Sequence, residues 1–317
     1  MALIASLAWY LTTVDWAEIA ALRLEPLWLV VGTVIAVVPL FGYVLVWVII
    51  LRSIGADVRF DSEVLSVYAR AWLGRYIPGK APWILGKIYF ASRRGIPTGK
   101  LAVSSLLEAA LQVVAAVAVS VAVLLVDRRL AEVGWQITAM LWIALAVSVL
   151  AVAPPVFNAL LRVGARVLRR ELASADRIGW RSLGTSSAVY VVLSVVSGSG
   201  LFFIARSINP DLGWNELPYV AASGILAGAI GMLAIFAPSG LGVRDGILLA
   251  MLTVVMSPEE ALAVTIVSRL WSVVVDAIFV AVAAVIAGFG SRRAKAAIRD
   301  GDVVRADEPP PPPPLRG

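Results

Sequence analysis

Cations stand in this chain where a membrane-like sequence should have none. From Arg70 to Lys100 (RAWLGRYIPGKAPWILGKIYFASRRGIPTGK) there are seven, Arg70, Arg75, Lys80, Lys87, Arg93, Arg94 and Lys100, with no acid among them. A second set lies far along the chain: Arg244-Asp245 within APSGLGVRDG, then Arg269 and Asp276, seven apart in an apolar run. Glu108, with Gln112 four residues on, puts a polar stripe on another apolar run. A charge at mid-bilayer costs about 2.5–3.5 kcal/mol on insertion scales, so these groups must face the protein interior. The chemistry open to them is anion binding: arginine offers phosphate a fork of two hydrogen bonds, lysine a point charge. The chain has no Cys and no His. That excludes thiol chemistry, Cys or His metal sites and histidine acid–base catalysis, so no catalytic residue, metal or cofactor is assigned.

Within these sets, Arg75, Lys80, Lys87, Arg244 and Arg269 are the expected lipid-phosphate ligands, and Glu108, Asp245 and Asp276 the gating or charge-partner acids. Arg75 and Lys80 flank Pro78-Gly79, which breaks any helix there, and Pro82 suits the first turn of a new one. A spacing of seven brings Lys80, Lys87 and Arg94 onto one helical face. Pro238, Gly240 and Gly242 give the second motif the same freedom to turn, tolerated at depth only against protein or a wet cavity. Blander readings stay open beside these. The first stretch also reads as a juxtamembrane amphipathic hairpin, Arg244-Asp245 as an ion pair pinning a broken helix, and Glu108 as the neutraliser of a hairpin cation. Trp72, Tyr76 and Trp83 read as interface anchors.

The elements that must position these groups follow from composition. Over 317 residues, 60% are hydrophobic and 15% charged, and mean hydropathy is +0.90, the signature of a polytopic membrane protein. The net charge of +6 sits in loops beside apolar runs, which fits an anionic membrane surface and not nucleic acid. Apolar runs at 27–51, 101–126, 135–157, 183–206 and 261–289 are long enough to span, and 1–14 is a short first helix. Residues 197–200 (Ser-Gly-Ser-Gly) should loosen one of them. The segments 62–92 and 217–257 are each broken by a Pro/Gly turn and enter and leave from one side. Basic loops at 93–100, 162–181 and 291–299 are cytoplasmic by the positive-inside rule, as are both termini. The expected fold is an all-α polytopic membrane protein with about six spanning helices and two re-entrant broken-helix hairpins, arranged as an inverted repeat. Residues 1–290 form the transmembrane domain and 291–317 a basic, then proline-rich, disordered cytoplasmic tail.

The run around GLGVRDG resembles the second signature of the lysylphosphatidylglycerol synthase transmembrane, or flippase-like, family, with Asp245 where that pattern usually has Glu. RYIPGK, followed by Gly86-Lys87 and Arg94-Gly95, is similar to its first, and Ser268-Arg269-Leu270 looks like its intramembrane arginine. The resemblance covers roughly residues 25–290. It implies a stand-alone membrane domain, without the synthase domain, in the plasma (cell inner) membrane of a bacterium or archaeon. The expected function is movement of an anionic lipid, a polyprenyl-phosphate-linked glycan or a phospholipid, without enzymatic chemistry. Two rivals remain: a membrane enzyme on lipid phosphates, and a non-transporting lipid-binding partner of a membrane glycosyltransferase or synthase. The expected partner is a lipid headgroup; a second copy or a membrane enzyme is left open.

Overall fold

A computed structural model describes residues 24–77, 81–129, 134–167, 179–234 and 242–306. Ten α-helices fill these segments: α1 (Pro26–Ser53), α2 (Ser62–Trp72), α3 (Ala81–Ser92), α4 (Thr98–Leu125), α5 (Trp135–Val152), α6 (Pro154–Val167), α7 (Trp180–Ile208), α8 (Leu217–Leu233), α9 (Val243–Leu252) and α10 (Pro258–Ala306). Short 3-10 turns at Leu73–Tyr76 and Trp214–Glu216 join the series, and no strand is present among the described residues. The chain is therefore all-α. Among the described residues, six helices are long and apolar enough to cross a membrane: Pro26–Ser53, Thr98–Leu125, Trp135–Val152, Trp180–Ile208, Trp214–Leu233 and Pro258–Phe289. The count of about six agrees with the sequence, but the membership shifts. Residues 1–14 lie outside the described residues, and the sixth candidate is Trp214–Leu233, the first limb of the segment expected to be re-entrant.

α1 and α7 form the spine. They run antiparallel, with the Glu25 N–H donating to the Ser207 carbonyl (2.8 Å) at one end and Gly42 against Leu193 further along. Gly32 and Gly200 face each other closely: a side chain on Gly200 would sit 3.3 Å from the Gly32 carbonyl. The Ser-Gly-Ser-Gly run was expected to loosen α7, yet the helix is continuous through it. Its glycines are contact points instead, since a Cβ on Gly198 would lie 2.7 Å from the Ala221 carbonyl of α8. Small residues here let backbones approach, which is how helices gain packing in a bilayer.

The two short-helix pairs each lie between two long helices in the chain, and each packs onto the far half. α2 lies on α10, where Trp72 bonds to Asp276, and α8 lies on α4, where Ala116 meets Ile225 and Ala229. α5 sits at the periphery with most of its apolar surface exposed and only Ser148 buried. It stops at Ala153 (φ −62°, ψ 126°) because Pro154 disfavours helix in the residue before it, so the expected 135–157 span is split into α5 and α6. At the other end α10 runs on to Ala306 and takes in the start of the segment expected as tail; the proline run lies outside the described residues.

Asp61 starts α2, its carboxylate accepting the Val64 N–H (2.7 Å) and a fork from Arg94 (2.8 and 3.1 Å) just past α3. Partial burial pushes this carboxyl up, but the Arg94 bonds and the Val64 amide outweigh it and hold it below the usual aspartate range. A depressed carboxyl stabilises the fold above its unfolded pKa, near 3.9, and loses that contribution as pH falls through the folded value. Hydrogen-exchange protection in the first turn of α2 will therefore hold down to about pH 4 and then decline. Asp61→Ala will remove about 1 kcal/mol of it at neutral pH.

Candidate functional site

α2 and α3 form an antiparallel hairpin whose limbs touch where Gly74 meets Pro82 and Trp83. Asp61 pairs with Arg94 at the open end, the Lys87 ammonium lies over the Tyr68 ring halfway, and Trp72 meets Trp83 near the tip. Eleven helical residues in α2 reach about 16 Å, half of a bilayer core. Gly74 sits where the limbs touch: a Cβ there would lie 2.7 Å from the Trp83 nitrogen and 2.8 Å from the Pro82 carbonyl, all backbone that cannot swing aside. Arg75 follows in the 3-10 turn. Its guanidinium lies over the Trp72 ring (4.7 Å) and bonds to Asp276 of α10 (3.4 Å). The same carboxylate takes the Trp72 indole N–H (2.9 Å) and the Tyr76 hydroxyl (2.5 Å), so Asp276 docks the hairpin tip on α10. Gly74→Ala will lower thermal stability by about 1–3 kcal/mol through forced separation of the limbs. Gly99→Ala, whose Cβ would meet nothing within 4 Å, is the control and will not.

The second pair is α8 and α9. α8 and α9 run antiparallel, with the Tyr219 hydroxyl donating to the Met251 carbonyl (3.1 Å). Gly242 opens α9 at φ +80°, a left-handed conformation that glycine adopts at little cost, and its N–H donates to Asp245 (3.1 Å). Asp245 also takes two bonds from Arg269 (3.0 and 3.1 Å). The ion pair that the blander reading put between Arg244 and Asp245 is made by Arg269 instead, because the capping geometry turns the Asp245 carboxylate toward α10. Among the described residues, Arg244 has no carboxylate within 4 Å and no side-chain hydrogen bond.

Arg75 and Arg244 come from opposite halves of the chain and open onto one cavity of 320 Å³, with Asp276, Gln112, Ser268 and Ser272 also on its wall. Helices from both halves contribute to it; α5 and α6 do not. Lys87 is not there. It is fully buried behind the wall, paired with Glu108 and boxed by the Trp47, Tyr68 and Trp83 rings, so it does not meet a ligand in the cavity. Glu108 accepts from Lys87 and from the Tyr68 hydroxyl, which makes it the neutraliser of a hairpin cation. The heptad stripe fails for the same reason: Lys87 faces inward, and Arg94 lies beyond the end of α3 against Asp61 and Glu63. Arg269, tied to Asp245, stands beside the cavity and off its wall. Lys80, Pro78, Gly79, Pro238 and Gly240 lie outside the described residues.

Sequence reasoning missed the aromatic share of this site. Trp72 and Trp83 are buried in the wall, not anchored at an interface, and Trp271 joins them on the lining. A tryptophan N–H is among the few neutral donors that can satisfy a buried carboxylate, but the partner of Trp72 lies 204 residues away and nothing in the sequence marks the pairing.

Together these features define a multi-pass, membrane-embedded, all-helical protein built round a cation-bearing internal cavity. The chain belongs to the family described as the lysylphosphatidylglycerol synthase TM region, whose model matches residues 1–294. Membership ties it to lipid-related function in a membrane. No curated protein matches it.

Proposed function

We propose that the chain is a lipid translocase that passes an anionic headgroup through the cavity while the tails stay in the bilayer. The observation that carries this reading is the convergence of Arg75 and Arg244, one from each short-helix pair, on a single space of 320 Å³. A cavity is where partly buried guanidiniums recover what they lose by leaving water, provided an anion occupies it. The exchange of contacts between the halves, α2 onto α10 and α8 onto α4, supports an inverted repeat whose hairpins enter from opposite leaflets. The basic loops support a plasma-membrane protein with both termini in the cytoplasm.

The work proposed is movement and not bond-breaking. The paired acids Glu259 and Glu260, which an enzyme on lipid phosphates would need at the site, stand in the first turn of α10, where Glu260 accepts the Ser257 N–H (3.0 Å) as a helix cap. The test is reconstitution into liposomes carrying tail-labelled anionic lipid. Inner-leaflet label should become accessible to dithionite in minutes with protein and stay protected in protein-free vesicles. Full protection with protein present overturns the reading, and phosphate release without movement replaces it with the enzymatic one.

A further inference from the structure

Away from the cavity, the α2–α3 hairpin carries two cations that the site does not use. Arg70 and Arg93 are exposed on it, while its limbs pack by their other faces on α10 and α4. Arg70 lies over the Phe90 ring (4.8 Å) and Arg93 over the Tyr89 ring (4.4 Å), and the two rings meet edge to face with centroids 5.2 Å apart. The four side chains form one continuous row across both limbs. A ring engages the flat face of a guanidinium and leaves its rim of N–H groups for other partners. Among the described residues, Arg70 spends its Nε on the Ser66 carbonyl (3.2 Å) and Arg93 one Nη on the Tyr89 hydroxyl, and neither has a carboxylate within 4 Å. No acid occurs in the sequence between Glu63 and Glu108.

The same face grades from polar to apolar along the hairpin. Leu85, one helical turn from Tyr89 toward the tip, is 58% exposed, and Leu73 and Ile77 near the tip are exposed as well. The cations and the tyrosine hydroxyl take the half nearest the open end and bare aliphatic side chains the half nearest the tip, the order in which a lipid presents its headgroup and tails. Arg70 follows this grading. Its Cα lies about 14 Å along α2 from Asp61. The side chain nevertheless leans back toward the open end, to the Ser66 carbonyl one turn earlier and to Phe90. An arginine rooted in a membrane hairpin brings its charge to headgroup level in this way, with its methylenes left in apolar surroundings. A soluble anion would match the cations alone; a lipid matches both halves of the face.

Each guanidinium is propped on its own ring, which sets up two forks, and one fork matches two oxygens of one phosphodiester. Independently of the translocase reading, we infer that this face is a docking site for a lipid bearing two phosphodiesters, drawn from the leaflet at the open end of the hairpin. Basic pockets beside membrane helices hold headgroups of this kind. Arg70 belongs to α2 and Arg93 follows α3, so a lipid bound to both clasps the two limbs from the membrane side.

The full chain, purified in detergent and stripped of lipid, is titrated by native mass spectrometry with cardiolipin (two phosphodiesters), phosphatidylglycerol (one) and phosphatidylcholine (no net charge), and its melting is followed with each. Cardiolipin is expected to bind about tenfold more tightly than phosphatidylglycerol, the low end for one more phosphate held by charge-assisted hydrogen bonds, and to raise the melting temperature. The double variant Arg70→Gln, Arg93→Gln should melt like the native protein without lipid and lose both effects. Arg70→Lys, Arg93→Lys keeps the charges without the forks and should fall between. Equal binding of cardiolipin and phosphatidylglycerol by the native protein, or a preference that survives in the glutamine variant, overturns the site. Should the glutamine variant fail to fold, the lysine variant decides, and an undiminished preference there overturns it too. Deacylated cardiolipin, the same phosphates without tails, should not compete at equal concentration; if it does, the face takes a soluble anion and the lipid assignment falls. The cavity reading stands or falls separately, on movement of tail-labelled lipid.

Discussion

Lys87→Met, with Glu108 left in place, will cost the protein about 3–5 kcal/mol, the largest stability loss expected from any single substitution outside the helix crossings. The pair lies at the centre of the α2–α3–α4 interface, with relative exposures of 0% and 1% for the two side chains. Removing the ammonium leaves a carboxylate sealed among Trp47, Tyr68 and Trp83, with the Tyr68 hydroxyl as its remaining donor. Glu108→Leu will be nearly as damaging, because it strands the cation. The double variant Lys87→Met, Glu108→Leu should recover most of the loss, since exchanging a buried pair for apolar side chains of similar volume is often neutral or better. Thermal unfolding of the four proteins in one detergent makes a double-mutant cycle. Additive losses would mean that the two groups do not act as a unit. The recovered double variant also separates roles, as it should still move lipid if the pair only holds the hairpin to α4.

The long apolar runs were readable because length and hydropathy alone define them. Four of the five runs read as full spans fall within helices to within one residue, and the fifth, 135–157, failed only at the proline that divides it into α5 and α6. The existence of both broken segments was readable too, from Pro and Gly in the wrong place for a span. What could not be read was direction. A heptad spacing places Lys87 on a face but not which neighbour that face meets, and here the neighbour is Glu108, not a lipid. The partner of Asp245 was not legible for a related reason. Sequence adjacency favoured Arg244, but the left-handed Gly242 starts α9 so that Asp245 caps the helix and reaches Arg269, 24 residues on. The side effect of that turn is to leave Arg244 facing the cavity, and no periodicity in the sequence encodes it. The aromatic wall was hidden because a tryptophan at a bilayer surface and one bonded to a buried carboxylate look alike in sequence.

Arg244→Ala is expected to slow lipid movement about 100-fold while leaving the melting temperature unchanged or slightly raised. The two halves of that expectation have one cause. Arg244 forms no ion pair or side-chain hydrogen bond among the described residues, so none of the polar contacts described there is lost when it goes. The apo protein even sheds an uncompensated charge, the pattern in which a site is held at some expense to stability. The ligand, by contrast, loses its charge-assisted bonds, each worth about 1.5–3 kcal/mol, or roughly 10- to 150-fold. Arg244→Lys keeps the charge but not the fork and should fall between, near tenfold. Arg269→Ala is the counterpart: it strips Asp245 of its partner at the start of α9, so stability and movement should fall together. Rates from dithionite quenching, set beside melting curves for the same preparations, separate the two behaviours. If Arg244→Ala melts early and Arg269→Ala does not, the cation that holds the fold and the cation that meets the ligand have been exchanged.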